Sequence, residues 1–394
     1  MSKHSGLILF ALATGAFGIG TTEFASMGLL PFFAHDLNVD EPTAGHAISA
    51  YALGVVVGAP IITVMAAKIS KKTLLISLML MFILGNILSA VASTYPAFVF
   101  CRFLTGLPHG AYYGAASLLA ASLVEVNRRA WAVSRMFIGA TTAMIIGVPA
   151  TSWIGHSIGW RWGFAIAALV GVLTTLLIFL HAPEDKPDRE ASALRELKAL
   201  TSAQVLLTLA ISCIGFGGLF AVYTYLSVVL IKVTHTTFAF VPFALGVLGL
   251  GMTLGNLTIP KFADRALMGT AAAILISTAL FLMLFPLVVH YQWMVALDVF
   301  MIGFSISGLC SVLQTRLMEV AQDAQSLAAA MNHAAFNVAN ALGPWLAGLA
   351  ITAGYGWASI GWVGALMTLG GLPFLIAAVL LDKKQVTPKN AFST

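Results

Sequence analysis

The chain has 394 residues, 59% of them hydrophobic and only 9% charged, and its mean hydropathy is +0.95. So few charges cannot cover two or three soluble domains, whereas lipid needs no such cover, and the composition reads as a polytopic membrane protein. A net charge of +5 would suggest nucleic acid in a soluble chain. Here the basic residues lie between apolar runs, and orientation in the bilayer accounts for them with no nucleic-acid partner.

A bilayer core takes about 20 apolar residues per helix. Cutting at charge clusters and Gly/Pro/Asn turns predicts twelve spans, at 6–33, 44–67, 73–94, 97–123, 130–155, 162–182, 203–231, 238–260, 267–289, 293–315, 326–352 and 357–381. The leading MSKHSG runs into the first span without a small-residue cleavage site, so a retained helix is expected there rather than a removed signal peptide. The first span carries Glu23 inside GAFGIGTTEFASMGLLP (Gly15–Pro31). A bare carboxylate in hydrocarbon costs at least a few kcal/mol, so it is kept only where it is paired, wet or used.

The fourth span contains RFLTGLPHGAYYG (Arg102–Gly114), with His109 two helical turns beyond Arg102 and therefore on nearly the same side. Between the sixth and seventh spans lies the longest polar stretch, 183–202, expected to be a linker between an N-terminal unit (1–182) and a C-terminal unit (203–394). Its ALRELKAL segment also suits a short amphipathic surface helix. The tenth span holds Asp298, and the eleventh holds His333 and Asn337, four apart on one face, with Asn332 and Asn340 nearby.

With both termini in the cytoplasm, seventeen of the 20 Lys and Arg face inward. Arg161 and Lys232 alone face outward, and Arg102 lies within a span. The bias supports an even number of spans. The three cysteines all lie in apolar runs, without metal or disulfide spacing, and read as packing residues. Pro149 and Pro344 are 195 residues apart and Trp160 and Trp357 are 197 apart, which suggests two six-helix repeats. Internal repeats in a membrane chain point to a transporter with its site at the midplane between the halves.

Glu23, Arg102 and Asp298 all lie in the outer half of the bilayer, roughly 8–15 Å below its surface at about 1.5 Å per residue. Arg102 and Asp298 are 196 apart, which suggests equivalent places in the two halves. Desolvation disfavours the charged form of a carboxylate and a nearby cation favours it. Held between the two, Glu23 can load a proton from one side and release it to the other. Snorkelling or salt bridging is the simpler role for Arg102, and wetting from outside for Asp298. Tyr51, Tyr112, Tyr113 and Tyr223 suit an aromatic-lined cavity, although packing is the commoner use of such rings. His109 suits a proton path or substrate contact, with a hydrogen-bonded structural role as the alternative. His333 suits the cavity lining, with polar packing between helices as the alternative. Polar packing between helices is the alternative for Asn337. The chain has no P-loop, HExxH, GxSxG or dinucleotide fingerprint, so neither a resident cofactor nor a metal is expected.

The stretch TTEFASMGLLP resembles the first-helix signature of the twelve-spanner drug/proton antiporters of the major facilitator superfamily. Arg102–Gly114 is similar to that family's fourth-helix motif, and GATTAMIIGVPATSWIG (Gly139–Gly155), with Gly147 and Pro149, to its fifth-helix antiporter motif. The resemblance covers essentially the whole chain and is nearest to arabinose-efflux-permease-like and sugar-efflux exporters of bacteria. It implies an all-α fold of two pseudo-symmetric six-helix bundles in the bacterial inner membrane, working as a monomer. It also implies export of small organic solutes or drugs against protons, with Glu23 as proton carrier, Arg102 as its charged partner and Asp298 as a second acidic site. A sugar or nucleoside transporter of the same fold, including a symporter, is the nearest alternative, and a membrane-embedded enzyme or sensor a remote one. One departure stands out. The loop after the second span, TVMAAKISKK, keeps the positive charge of Lys68 and Lys72 but lacks the family's aspartate, while the matching second-half loop retains Asp264 and Arg265.

Overall fold

The computed structural model describes residues 3–66, 69–125, 129–184, 202–263, 265–321 and 325–386. Lys68, Asp264 and most of the expected linker lie outside the described residues. Among the described residues there are helices and turns but no strands, and eleven helical stretches are long and apolar enough to cross a bilayer.

The N-terminal half comprises α1 (Lys3–Asp36), the short α2 (Glu41–Ala44), α3 (His46–Met65), α4 (Lys71–Val91), α5 (Tyr95–Gly106), α6 (His109–Ser122), α7 (Arg129–Thr142), α8 (Val148–Ser157) and α9 (Arg161–His181). The C-terminal half comprises α10 (Ala203–Gly215), α11 (Gly217–Lys232), α12 (Phe240–Thr258), α13 (Pro260–Ala263), α14 (Leu267–Val288), α15 (Gln292–Val320), α16 (Gln325–Ala350) and α17 (Ser359–Val386). The twelfth span is the fourth in chain order, and it is split into α5 and α6. Pro108 has no N–H and its ring clashes with the carbonyl four residues back, so the ladder stops at Gly106 and restarts at His109. The fifth span is also irregular, passing through a π-turn at Ala143–Gly147 just before Pro149.

The internal repeat is written in the backbone at a single offset of 197 residues. Left-handed residues occur at Asn38 (φ 54°) and Gly159 (φ 118°), and again at His235 (φ 56°) and Gly356 (φ 76°). Where α3 crosses α5, a Cβ on Gly54, Gly58 or Gly106 would run into the backbone at Phe103, Leu107 or Tyr51. Where α12 crosses α15, Gly251, Gly255 and Gly303 meet Phe300, Phe304 and Leu248 in the same way. Small residues let these helices touch backbone to backbone, and the contact holds each half together. This register pairs Arg102 with Val299 and pairs Cys101, not Arg102, with Asp298. The equivalence expected of Arg102 and Asp298 is therefore off by one residue, about 100° around the helix.

The halves meet along three seams: α1 on α11, α3 on α16, and α8 with the π-turn on α12. Two ends of the bundle are distinct. A basic face carries Lys71, Lys72, Arg265 and Arg316, with Lys72 5.8 Å from the centre of the Phe179 ring. A turn face carries the α1–α2 and α8–α9 turns and their repeats. At the turn face Asp36 accepts from Trp160 Nε1 at 3.0 Å and pairs with Arg161, whose Nη2 donates to Ala92 O at 3.0 Å. Asp40 caps α2, and its hydrogen bonds from the Thr43 side chain and amide hold its carboxyl below the usual aspartate range.

Candidate functional site

Glu23 sits on α1 at the seam between the halves and is 8% exposed. Its Oε1 accepts a hydrogen bond from Nδ2 of Asn340, on α16 of the other half, at 3.4 Å. One residue on, Phe24 stacks on Tyr223 at 5.6 Å and on Phe220 at 6.4 Å, both from α11. Toward the turn face Ser227 donates to Met27 O at 2.6 Å, and Ser49 donates to Ala341 O at 2.8 Å. Glu23 is therefore ringed by contacts that exist only while the halves touch.

Arg102, fully buried, forms the floor of this region. Its Nη2 donates to Thr22 O at 3.2 Å, and its guanidinium lies 4.5 Å from the Tyr51 ring centre and 5.1 Å from that of Phe164. The remaining nitrogens, Nε and Nη1, have no hydrogen-bond partner among the described residues. Arg102 makes no hydrogen bond to Glu23 among the described residues, so any influence of its charge on that carboxylate is through space. Such a charge biases the carboxylate without locking it. The Tyr51 hydroxyl bonds His109 Nδ1 at 2.9 Å, the start of α6 after the Pro108 break having placed the imidazole there.

From His109 the polar chain continues toward the basic face. The His109 ring lies 5.1 Å from Tyr113, and Tyr113, Phe137 and His333 are nearly parallel, 5.4–6.3 Å apart between centres. His333 belongs to the C-terminal half and the other two to the N-terminal half, so this stack closes the seam below Glu23. The structure thus brings Glu23, Arg102, Tyr51, His109, Tyr113, Tyr223 and His333 into one column.

Other residues singled out from sequence lie elsewhere. Tyr112 donates to Leu12 O at 2.9 Å inside the N-terminal half. The Asn337 amide donates to its own helix at His333 O, 3.0 Å away, leaving the cross-seam bond to Asn340. Asp298 is 3% exposed, and neither of its oxygens has a hydrogen-bond partner among the described residues. Ser305, two turns on and so on nearly the same face, bonds Thr278 of α14. Asp298 thus faces into the C-terminal half, with no hydrogen bond or ion pair to Glu23 or Arg102. Gly147 packs on Thr21 of α1, and Pro149 lies at the α12 seam, where a Cβ on Gly246 would be 3.4 Å from its ring.

A feature without sequence signal is the clasp at the turn face. Lys232 pairs with Glu41 of α2 and lies 5.1 Å from the Trp357 ring centre. The Tyr225 hydroxyl sits between Pro344 O at 3.0 Å and Pro42 O at 3.4 Å.

Two six-helix repeats meeting around a buried acid are the architecture of a secondary transporter. The family model described as the Major Facilitator Superfamily matches residues 12–331, and the chain belongs to that family. It is a transporter rather than an enzyme. It is 40% identical to the inner membrane transport protein YdhP of Escherichia coli K12, over 96% of this chain and 97% of that one. It is 28% identical to a protein named "Probable sugar efflux transporter" of Helicobacter pylori 26695, over 97% of each chain. In fold it matches the crystal structure of the nucleoside transporter NupG (D323A mutant) with a TM-score of 0.75 at 15% identity, covering 95% of this chain and 99% of that one.

Proposed function

We propose that the protein exports a small organic solute from the cytoplasm in exchange for protons, the two halves rocking about the Glu23 seam. The observation that carries this reading is a buried carboxylate whose hydrogen bond crosses the interface that must open. On this reading the basic face is cytoplasmic, as the positive-inside rule favours. Glu23 is the proton carrier, Arg102 the fixed charge that biases it, and the column from Tyr51 to His333 lines the route to the cytoplasmic side. One proton moving down about 100 mV supplies about 2.3 kcal/mol. That sustains roughly a fiftyfold gradient of a neutral solute. The sugar-efflux relative favours a polyhydroxylated substrate as the first class to try.

The test is transport into and out of proteoliposomes under an imposed pH gradient, with a panel of pentoses, nucleosides, chloramphenicol and ethidium. Wild type accumulates at least one of these against its gradient, and Glu23→Gln does not. Accumulation by Glu23→Gln equal to wild type would reject the reading.

A further inference from the structure

We propose that Asn340 is the positioning residue through which the C-terminal half senses whether Glu23 carries a proton. The inference rests on the reading of Glu23 as the proton carrier. Arg102, the nearest cation, donates to Thr22 O and stacks on Tyr51 and Phe164, so Asn340 supplies the one direct hydrogen bond to the Glu23 carboxylate among the described residues. Asn340 is 1% exposed and its Oδ1 is buried without a partner.

An amide suits this task better than any charged group. Its Nδ2 donates to a carboxylate, and after a flip about χ2 its Oδ1 accepts from a carboxylic acid. The two bonds differ in strength, because the one to the ionised group is charge-assisted. The seam at Glu23 is therefore tied more tightly while the acid is ionised and more loosely once it is protonated. The bond lies between α1 and α16, so its change in strength acts on the contact between the halves rather than within either one.

The other ionisable groups around Glu23 are Arg102 on α5, Tyr51 on α3, Tyr113 on α6 and Tyr223 on α11. On the remaining helices packed against α1, Arg135 and His181 lie near the basic face, while Glu41, His156 and Arg161 lie at the turn face. His333, on α16 itself, sits two turns from Asn340 in the stack with Tyr113. Among the described residues none of these groups hydrogen-bonds the Glu23 carboxylate, and Asn340 does so from across the seam.

The test needs no substrate. In a background with Cys101, Cys213 and Cys310 replaced by serine, spin labels at Ile158→Cys and Tyr355→Cys, 63% and 78% exposed on opposite halves, report the turn-face distance by electron-electron resonance across pH. Wild type shows a pH midpoint and Glu23→Gln abolishes it. Asn340→Leu, which removes a bond favouring the ionised acid, moves the midpoint upward by about one pH unit, or roughly tenfold in proton affinity. Asn340→Asp keeps the shape but places a second carboxylate there, and moves it further up. It also decides the matter alone if the leucine variant does not fold. A midpoint that Glu23→Gln removes but both Asn340 variants leave in place overturns the role of Asn340 alone. A midpoint that survives Glu23→Gln, or a wild type with none, overturns the reading of Glu23 as well.

Discussion

The seam between the π-turn at Ala143–Gly147 and α12 offers a substitution whose effect can be worked from geometry. A Cβ on Gly249 would lie 2.5 Å from Met144 O, whereas ordinary contact begins at 3.4 Å. Alanine at this position therefore requires the two halves to part by about 1 Å along this line, an overpacking cost of about 1–3 kcal/mol. Gly249 and Met144 belong to different halves, so the cost falls on the state in which this seam is closed. The turn-face-open state is favoured by the same amount, about 5- to 150-fold in population. Ser152, 1% exposed beneath Gly28 and Leu245, reports the opening. In a cysteine-free background, Ser152→Cys should react with an impermeant maleimide at least fivefold faster when Gly249→Ala is added. Gly246→Ala is the matched control, because its Cβ would sit at 3.4 Å from Pro149, in ordinary contact. Equal labelling in the two alanine variants would refute the reasoning, since a general loss of packing does not distinguish neighbouring glycines.

Three further outcomes follow from the same geometry. Asp298→Asn removes a buried carboxylate that has no hydrogen-bond partner among the described residues and no hydrogen bond to Glu23, so proton coupling stays intact and the thermal midpoint does not fall; a loss of coupling would contradict this. Tyr51→Phe strips His109 of its buried hydroxyl partner at a cost of about 1–3 kcal/mol, read as a lower unfolding midpoint; an unchanged midpoint would count against it. Lys232→Met releases the α2 clasp, and because the Lys232 side chain is 45% exposed the gain in Ser152→Cys labelling stays within about fivefold. Glu41→Gln should give the same gain, with no further increase in the double variant, and independent additive effects would show that the two do not act as a pair.

Much of the scaffold was legible in the sequence because lipid imposes it. Apolar length and the Lys/Arg bias set the spans, and the repeated Gly-Trp turns at Trp160 and Trp357 marked the two halves. The split fourth span followed from Pro108, yet the continuous apolar run hid it, since hydropathy does not register a missing N–H. Off-by-one register was the harder problem. The spacing of Arg102 and Asp298 looks like the repeat offset, but the glycine crossings define 197 and set Asp298 about 100° around the helix from the place of Arg102. Spacing alone also could not separate Asn337 from Asn340, because residues three apart share a helix face and only the crossing angle decides which reaches Glu23. The clasp from Glu41 to Lys232 joins positions so far apart in the chain that no local pattern announces it.

Proton movement driven by solute tests the central claim most directly. Proteoliposomes loaded with a pH-sensitive dye are given a gradient of a transported solute and no initial pH difference. Wild type should move protons opposite to the solute, while Glu23→Gln should equilibrate the solute with no change in internal pH. A Glu23→Gln protein that still moves protons at the wild-type ratio would contradict the account.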